Sequence, residues 1–226
     1  ALAAAAIVAA CGGGESADGP SNKVGINAMV SFGDSLSDIG SYKVGSIAGL
    51  AATGGAGTFT VNDNTGINIW TQRIAALLPV ATPCAAITGM SPSPQLGLTG
   101  APFTAKAGCT NYAEGGSRVS NPAGVQSYLL QGAPYNQINL GFMTKPVQEQ
   151  MAAHLTAAGG SYTGKELVTV LAGANDVFME LASVAAGLQT PQAAVTNVAT
   201  AGATLGQLIK SQVVGKGAKF VLVINM

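Results

Sequence analysis

Two β-branched runs, Glu166–Leu171 (ELVTVL) and 219–225 (KFVLVIN), constrain this fold most, because a helical pattern long enough to cross a sheet separates them. Short, mostly apolar runs read as strands buried on both faces, as in parallel sheets. Between them Thr190-Pro191 caps a helix whose Val195, Val198, Leu205, Leu208 and Ile209 form an apolar stripe up to Gly215. Residues 27–32 (NAMVSF), stopped by Gly33, read as a further buried strand feeding a turn. Residues 146–155 read as a helix, with Pro146 in its first turn and Val147, Met151 and Leu155 recurring every four residues. Strand, helix, strand, helix, strand implies parallel pairing through crossovers, hence an α/β fold of three αβα layers. Function in such sheets gathers beyond the carboxyl ends of the strands.

A chain of 226 residues has room for one such domain and a substantial core. Ten basic residues balance ten acidic ones at 9% charged, so no field draws in nucleic acid and the expected partner is neutral or small. The positive mean hydropathy comes from dispersed alanine, and no internal run reaches the roughly 18 apolar residues of a membrane span.

The chain opens on Ala1 inside the apolar run ALAAAAIVAACGGG, without the basic segment that precedes such a run in an export signal. Residues 7–11 (IVAAC) resemble a bacterial lipobox, in which Cys11 is lipidated and becomes the mature N-terminus. A buried N-terminal helix is the poorer reading, since GGGESADGPSN follows at once. The expected organisation is a signal remnant over 1–11, a flexible tether over 12–25 and one domain over 26–226. The expected location is exported and lipid-anchored, at the outer membrane of a Gram-negative bacterium because Gly12 follows the cysteine. Cys84 and Cys109 then remain as an even pair, either a disulfide or two buried thiols. With the sole histidine, His154, they show no zinc-site spacing.

Residues 45–66 read as a long surface loop, and its GGAG at 54–57 lacks the Lys-Ser/Thr of a phosphate-binding loop. Residues 69–78 place Ile74, Leu77 and Leu78 on one helical face ended by Pro79, and 80–108 read as an insertion loop without periodicity. His154, beside the stripe of its helix, is expected at the helix surface or rim rather than as a base.

Three short segments, each expected just after a strand, carry the chemistry: 32–38 (FGDSLSD), 111–117 (NYAEGGS) and 173–176 (GAND). They offer a serine at a strand-to-helix turn, a glycine pair exposing backbone N–H groups and a carboxamide donor. Together these make a nucleophile with an oxyanion hole. A serine alone would read as a helix cap.

These segments resemble the three blocks of the SGNH, or GDSL, hydrolase family of bacterial lipases and esterases, and 59–70 (FTVNDNTGINIW) is similar to the family's linking segment. The resemblance spans about 27–226 and implies a flavodoxin-like sheet. It implies Ser35 as nucleophile, with the oxyanion held by the N–H groups of Ser35 and Gly116 and by the Asn175 side chain. Asp34, Gly115 and Asp176 are expected to support them. No cofactor or metal is implied. The substrate is an ester: lipid, short and soluble, or an acetylated sugar.

A serine ester hydrolase needs a histidine oriented by a carboxylate. The family places these in an Asp-x-x-His segment near the C-terminus, which does not occur here. The triad acid and base are therefore expected beyond Met226, leaving these residues alone impaired. Asp34 and Asp38 could be taken for a glycosidase pair, but two acids four apart at a turn give no sign of the separation a sugar ring needs, and Asp38 is better placed to support the turn. Asp176 is expected to cap a helix. The alternative of another class is a catalytically inactive, lipid-anchored surface or binding protein on the same scaffold.

Overall fold

The computed structural model describes residues 24–49, 69–92, 94, 97–125 and 144–224. Cys11, the GGAG loop and most of the linking segment 59–70 lie outside these residues. Along the chain run β1 (Ala28–Gly33), α1 (Gly45–Gly49), α2 (Trp70–Ala76), β2 (Ile87–Met90), β3 (Ala101–Ala105), α3 (Val147–Ala157), β4 (Glu166–Leu171), α4 (Ala174–Ala185), α5 (Pro191–Leu208) and β5 (Phe220–Val223).

The sheet is parallel in the order β1-β4-β5, with Ala28 opposite Glu166, Gly33 opposite Leu171 and Leu167 opposite Phe220. Alternation sends Val30, Phe32, Val168 and Val170 to one face, where they pack with Val147 and Met151 of α3 and with Leu208 and Val213. On the other side of β1, residues 110–112 run parallel to it: Ser31 N donates to Thr110 O at 3.0 Å and Tyr112 N to Ser31 O at 2.8 Å. Counting that segment, the order across the sheet is second, first, third, fourth. The chain reverses its direction of travel between β1 and β4, so their carboxyl ends flank the switch point at which α/β sheets bind ligands. The helices and parallel sheet make an αβα architecture.

The sequence-based limits hold closely for β1, α3 and β4. Thr190 caps α5 by accepting the Ala193 N–H at 3.2 Å, with Pro191 in the first turn. Other expectations need correction. Residues 80–108 are not a bare insertion loop, because β2 and β3 form an antiparallel pair within them. A register shift between Thr88 and Met90 breaks the alternation that would have marked it, and Gly89 lies so close to Phe103 that a Cβ would approach its Cα to 2.6 Å. In α2 the inward residues are Thr71 and Ala75, while Leu77 is 66% exposed because the helix ends at Ala76. In α5 Val195 is 64% exposed, and the small Ala194 is the buried contact of that half. The helix continues as a wider π turn over Ile209–Val213, which buries Val213, and a 3-10 turn over Val214–Lys216. β5 is half-buried rather than buried; among the described residues it pairs only with β4. No helix among the described residues is long and apolar enough to cross a membrane.

Cys84 and Cys109 form a disulfide with an S–S distance of 2.07 Å across a sequence separation of 25. It clasps the 84–86 segment to the 110–112 segment, which also bond through Ala86 N to Asn111 O at 2.7 Å. Replacing both cysteines by alanine is expected to lower unfolding free energy by about 3 kcal/mol in the chain-entropy picture, read as a shift in urea midpoint.

Candidate active site

Ser35 stands half-buried in the turn that leaves β1. The turn is closed by Ser37 N and Asp38 N, both donating to Asp34 O at 3.0 Å, and by Leu36 N donating to Asp34 Oδ1 at 3.0 Å. Gly33 permits it, because a Cβ there would lie 2.2 Å from the Leu171 carbonyl oxygen on β4. The close approach brings the ends of β1 and β4 together. Asp34 is buried, and burial, with the Asp176 charge adding to it, pushes its carboxyl up despite the opposing Leu36 N–H.

The glycine pair reaches this turn without a regular strand before it, which corrects the sequence expectation. Asn111 guides it there: its Nδ2 donates to Ser37 O at 2.9 Å and its Oδ1 accepts Ala113 N–H at 3.1 Å. Glu114 N then donates to Gly33 O at 3.2 Å. Asp38 fastens the next residue, accepting Gly115 N–H at 2.9 Å alongside Gly40 N, Ser41 N and Ser41 Oγ at 2.8, 2.8 and 2.5 Å. It is a turn anchor with its acceptor capacity taken up, which leaves nothing of the glycosidase pair. Tyr42 donates its hydroxyl to Gly115 O at 2.6 Å. Gly116 takes a φ of 86°, a left-handed value that glycine adopts freely.

Asn175 stands in the first turn of α4, buried, and its Nδ2 donates to Ser117 O at 2.8 Å. A carboxamide nitrogen carries two hydrogens, so one donor remains after that bond. Asp176 is not the helix cap expected of it. Gly173 holds the cap position, and the Asp176 carboxylate accepts Arg118 Nε at 3.1 Å and Val119 N–H at 2.9 Å. Arg118 also donates to Glu180 Oε1 at 2.7 Å, and Gln189 and Asn197 bond Glu180 Oε2. The acids of α4 thus face inward, leaving Phe178 and Leu181 58% and 59% exposed.

Sequence reasoning missed Gln150, wholly buried on α3. Its Oε1 accepts Gly33 N–H at 2.9 Å, and its Nε2 shares two hydrogens among Gly33 O at 2.9 Å, Ser117 Oγ at 3.0 Å and Lys145 O at 3.0 Å. One side chain therefore fixes the nucleophile turn, the glycine turn and the start of α3. The signal available was a polar residue one place before Met151 in an apolar stripe.

His154 is neither at the helix surface nor at a rim: it is 6% exposed, between Phe32, Tyr112 and Tyr162 at ring distances of 5.8, 5.4 and 4.8 Å. Its place beside Val147 and Met151 turns it inward, and neither ring nitrogen has a hydrogen-bond partner among the described residues. Burial pushes its pKa down, with the Glu166 charge opposing. The unfolded chain therefore takes up a proton first, at about 6.5, and stability is lost as pH falls below that value. His154→Phe keeps the ring contacts and removes two unpaired polar atoms, so a gain of about 1 kcal/mol is expected at pH 7. The gain should widen between pH 6.5 and 5 in thermal melts.

No curated protein matches the chain. The turn after β1, the glycine turn and the start of α4 meet at the sheet's switch point, and the family described as GDSL-like lipase/acylhydrolase matches residues 29–226, so the chain belongs to that family of hydrolases acting on esters.

Proposed function

We propose that the chain hydrolyses carboxylic esters through an acyl-enzyme on Ser35. The observation that supports this most is the convergence of the three segments: Glu114 N bonds Gly33 O, Asn175 Nδ2 bonds Ser117 O, and Gln150 bonds both turns. Ser35 Oγ attacks the ester carbonyl carbon, and the carbonyl π pair moves onto oxygen. That oxygen is held by the N–H groups of Ser35 and Gly116 and by the free Asn175 hydrogen. Collapse of the adduct expels the alkoxide, which leaves as the alcohol after protonation, and water releases the acid by the same path.

A base must take the Ser35 proton, and His154 is not suited to it, since its ring nitrogens are buried and have no hydrogen-bond partner among the described residues. Incubating the full chain with an organophosphonate and mapping the adduct by peptide mass spectrometry tests the reading. A single adduct on the peptide containing Ser35 is expected, and an adduct elsewhere, or none, overturns it.

A further inference from the structure

Glu114 lies immediately before the glycine pair, with its carboxyl almost wholly buried. The backbone on either side belongs to the site: Glu114 N donates to Gly33 O and Glu114 O accepts Ser117 N–H at 3.1 Å. The side chain crosses to the start of α3, where Oε2 accepts Lys145 N–H at 2.9 Å. Oε1 has no hydrogen-bond partner among the described residues. Gly115 is held as well: its N–H donates to Asp38, and its carbonyl accepts from Tyr42 and, at 3.4 Å, from Thr144 Oγ1.

Two buried carboxyl groups thus flank one glycine turn in very different surroundings. Burial pushes the Asp38 carboxyl up, but four donors from Gly40, Ser41 and Gly115 oppose it and favour its charged form. Among the described residues Glu114 has a single donor and an oxygen left over, the arrangement of an acid that keeps its proton. We propose that Glu114 is a positioning residue that holds the Gly115–Gly116 turn in place as a neutral carboxylic acid, tying it to the start of α3. The proposal rests on the ester-hydrolase reading of this site.

The charged neighbours agree. Tyr42 and Asp38 face Glu114 from the segment after β1, and Lys145 and Glu149 face it from the start of α3, where the last two pair at 3.8 Å. Burial first, and then the Asp38 and Glu149 charges, push the Glu114 carboxyl up to about 8, against the Lys145 N–H and the Lys145 charge. Ionisation would leave a second charge beside Asp38 with one donor to serve it, and the turn relieves that by moving away from Asp38. Such movement displaces the Gly116 N–H from the oxyanion and slows the reaction without changing ground-state binding.

The test compares the full chain with Glu114→Gln and Glu114→Ala, following hydrolysis of a short-chain chromogenic ester and melting temperature from pH 5 to 10. For wild type, kcat is expected to fall tenfold per pH unit above about 8 at constant KM. Gln cannot ionise, so the alkaline limb disappears in Glu114→Gln, while pH 7 activity, lost by about 10- to 100-fold in Glu114→Ala, is restored. A group raised in the folded state favours folding below its unfolded value of about 4.5 and loses that advantage as pH rises through its folded value. The wild-type melting temperature should therefore drop relative to Glu114→Gln between pH 5 and 8.

Glu114→Gln as impaired as Glu114→Ala, or sharing the wild-type alkaline limb, overturns the proposal. So do parallel melting curves. If none of the three proteins hydrolyses ester, the ester-hydrolase reading fails, and the melting comparison still decides the state of Glu114.

Discussion

Ser35→Ala in the full chain is expected to abolish hydrolysis of a chromogenic short-chain ester and to block labelling by an organophosphonate, because both need the same oxygen. Loss of a serine nucleophile lowers kcat by on the order of 10⁶, leaving what the oxyanion hole and binding supply. The variant should fold unchanged. Asp34, whose carbonyl and carboxylate accept from Ser37 N, Asp38 N and Leu36 N, closes the turn. Gln150 holds Gly33 from α3. Removing one hydroxyl from a half-buried turn residue is expected to shift stability by no more than about 0.5 kcal/mol. Dead activity with an unchanged melting temperature is thus the signature of a nucleophile. Residual activity near wild type, or phosphonate labelling of the variant, would place the nucleophile elsewhere.

What the sequence made legible follows one physical line. Strand runs such as Glu166–Leu171 and the four-residue rhythm of Val147 and Met151 are written in apolar residues, and burial of apolar side chains decides where they go. The same rule located the three segments of the site, since each turn follows from glycine and short polar residues at the carboxyl ends of β1 and β4 or beside β1. It failed wherever a buried polar group depends on a partner far along the chain. Gln150 and Gly33 are 117 residues apart, and Arg118 and Asp176 are 58 apart. No local pattern announces either bond.

The same dependence explains α4. Periodicity alone would turn Phe178 and Leu181 inward, but Arg118 draws Asp176 and Glu180 to the buried side. For His154 the error had the opposite sign. A histidine was expected to seek water, whereas a cage of Phe32, Tyr112 and Tyr162 and a lowered pKa make it a neutral aromatic core residue.

Asn175→Ala separates a catalytic donor from a structural one, because the side chain has two hydrogens and the structure accounts for only one. The bond to Ser117 O at 2.8 Å is made in the resting protein, and alanine leaves that buried carbonyl unpaired. That loss is expected to cost about 1 to 3 kcal/mol of stability. The second hydrogen matters only when negative charge develops on the substrate oxygen. Its removal should lower kcat by about 10² to 10³, near 3 to 4 kcal/mol of transition-state stabilisation, with KM nearly constant. Asn175→Asp should be worse, since a carboxylate repels both the Ser117 carbonyl and the oxyanion. Thermal melts and steady-state kinetics on the same preparations read the two effects separately. A lowered melting temperature with kcat at the wild-type level would show that Asn175 only ties α4 to the glycine turn, and the oxyanion hole would then rest on the backbone N–H groups of Ser35 and Gly116 alone.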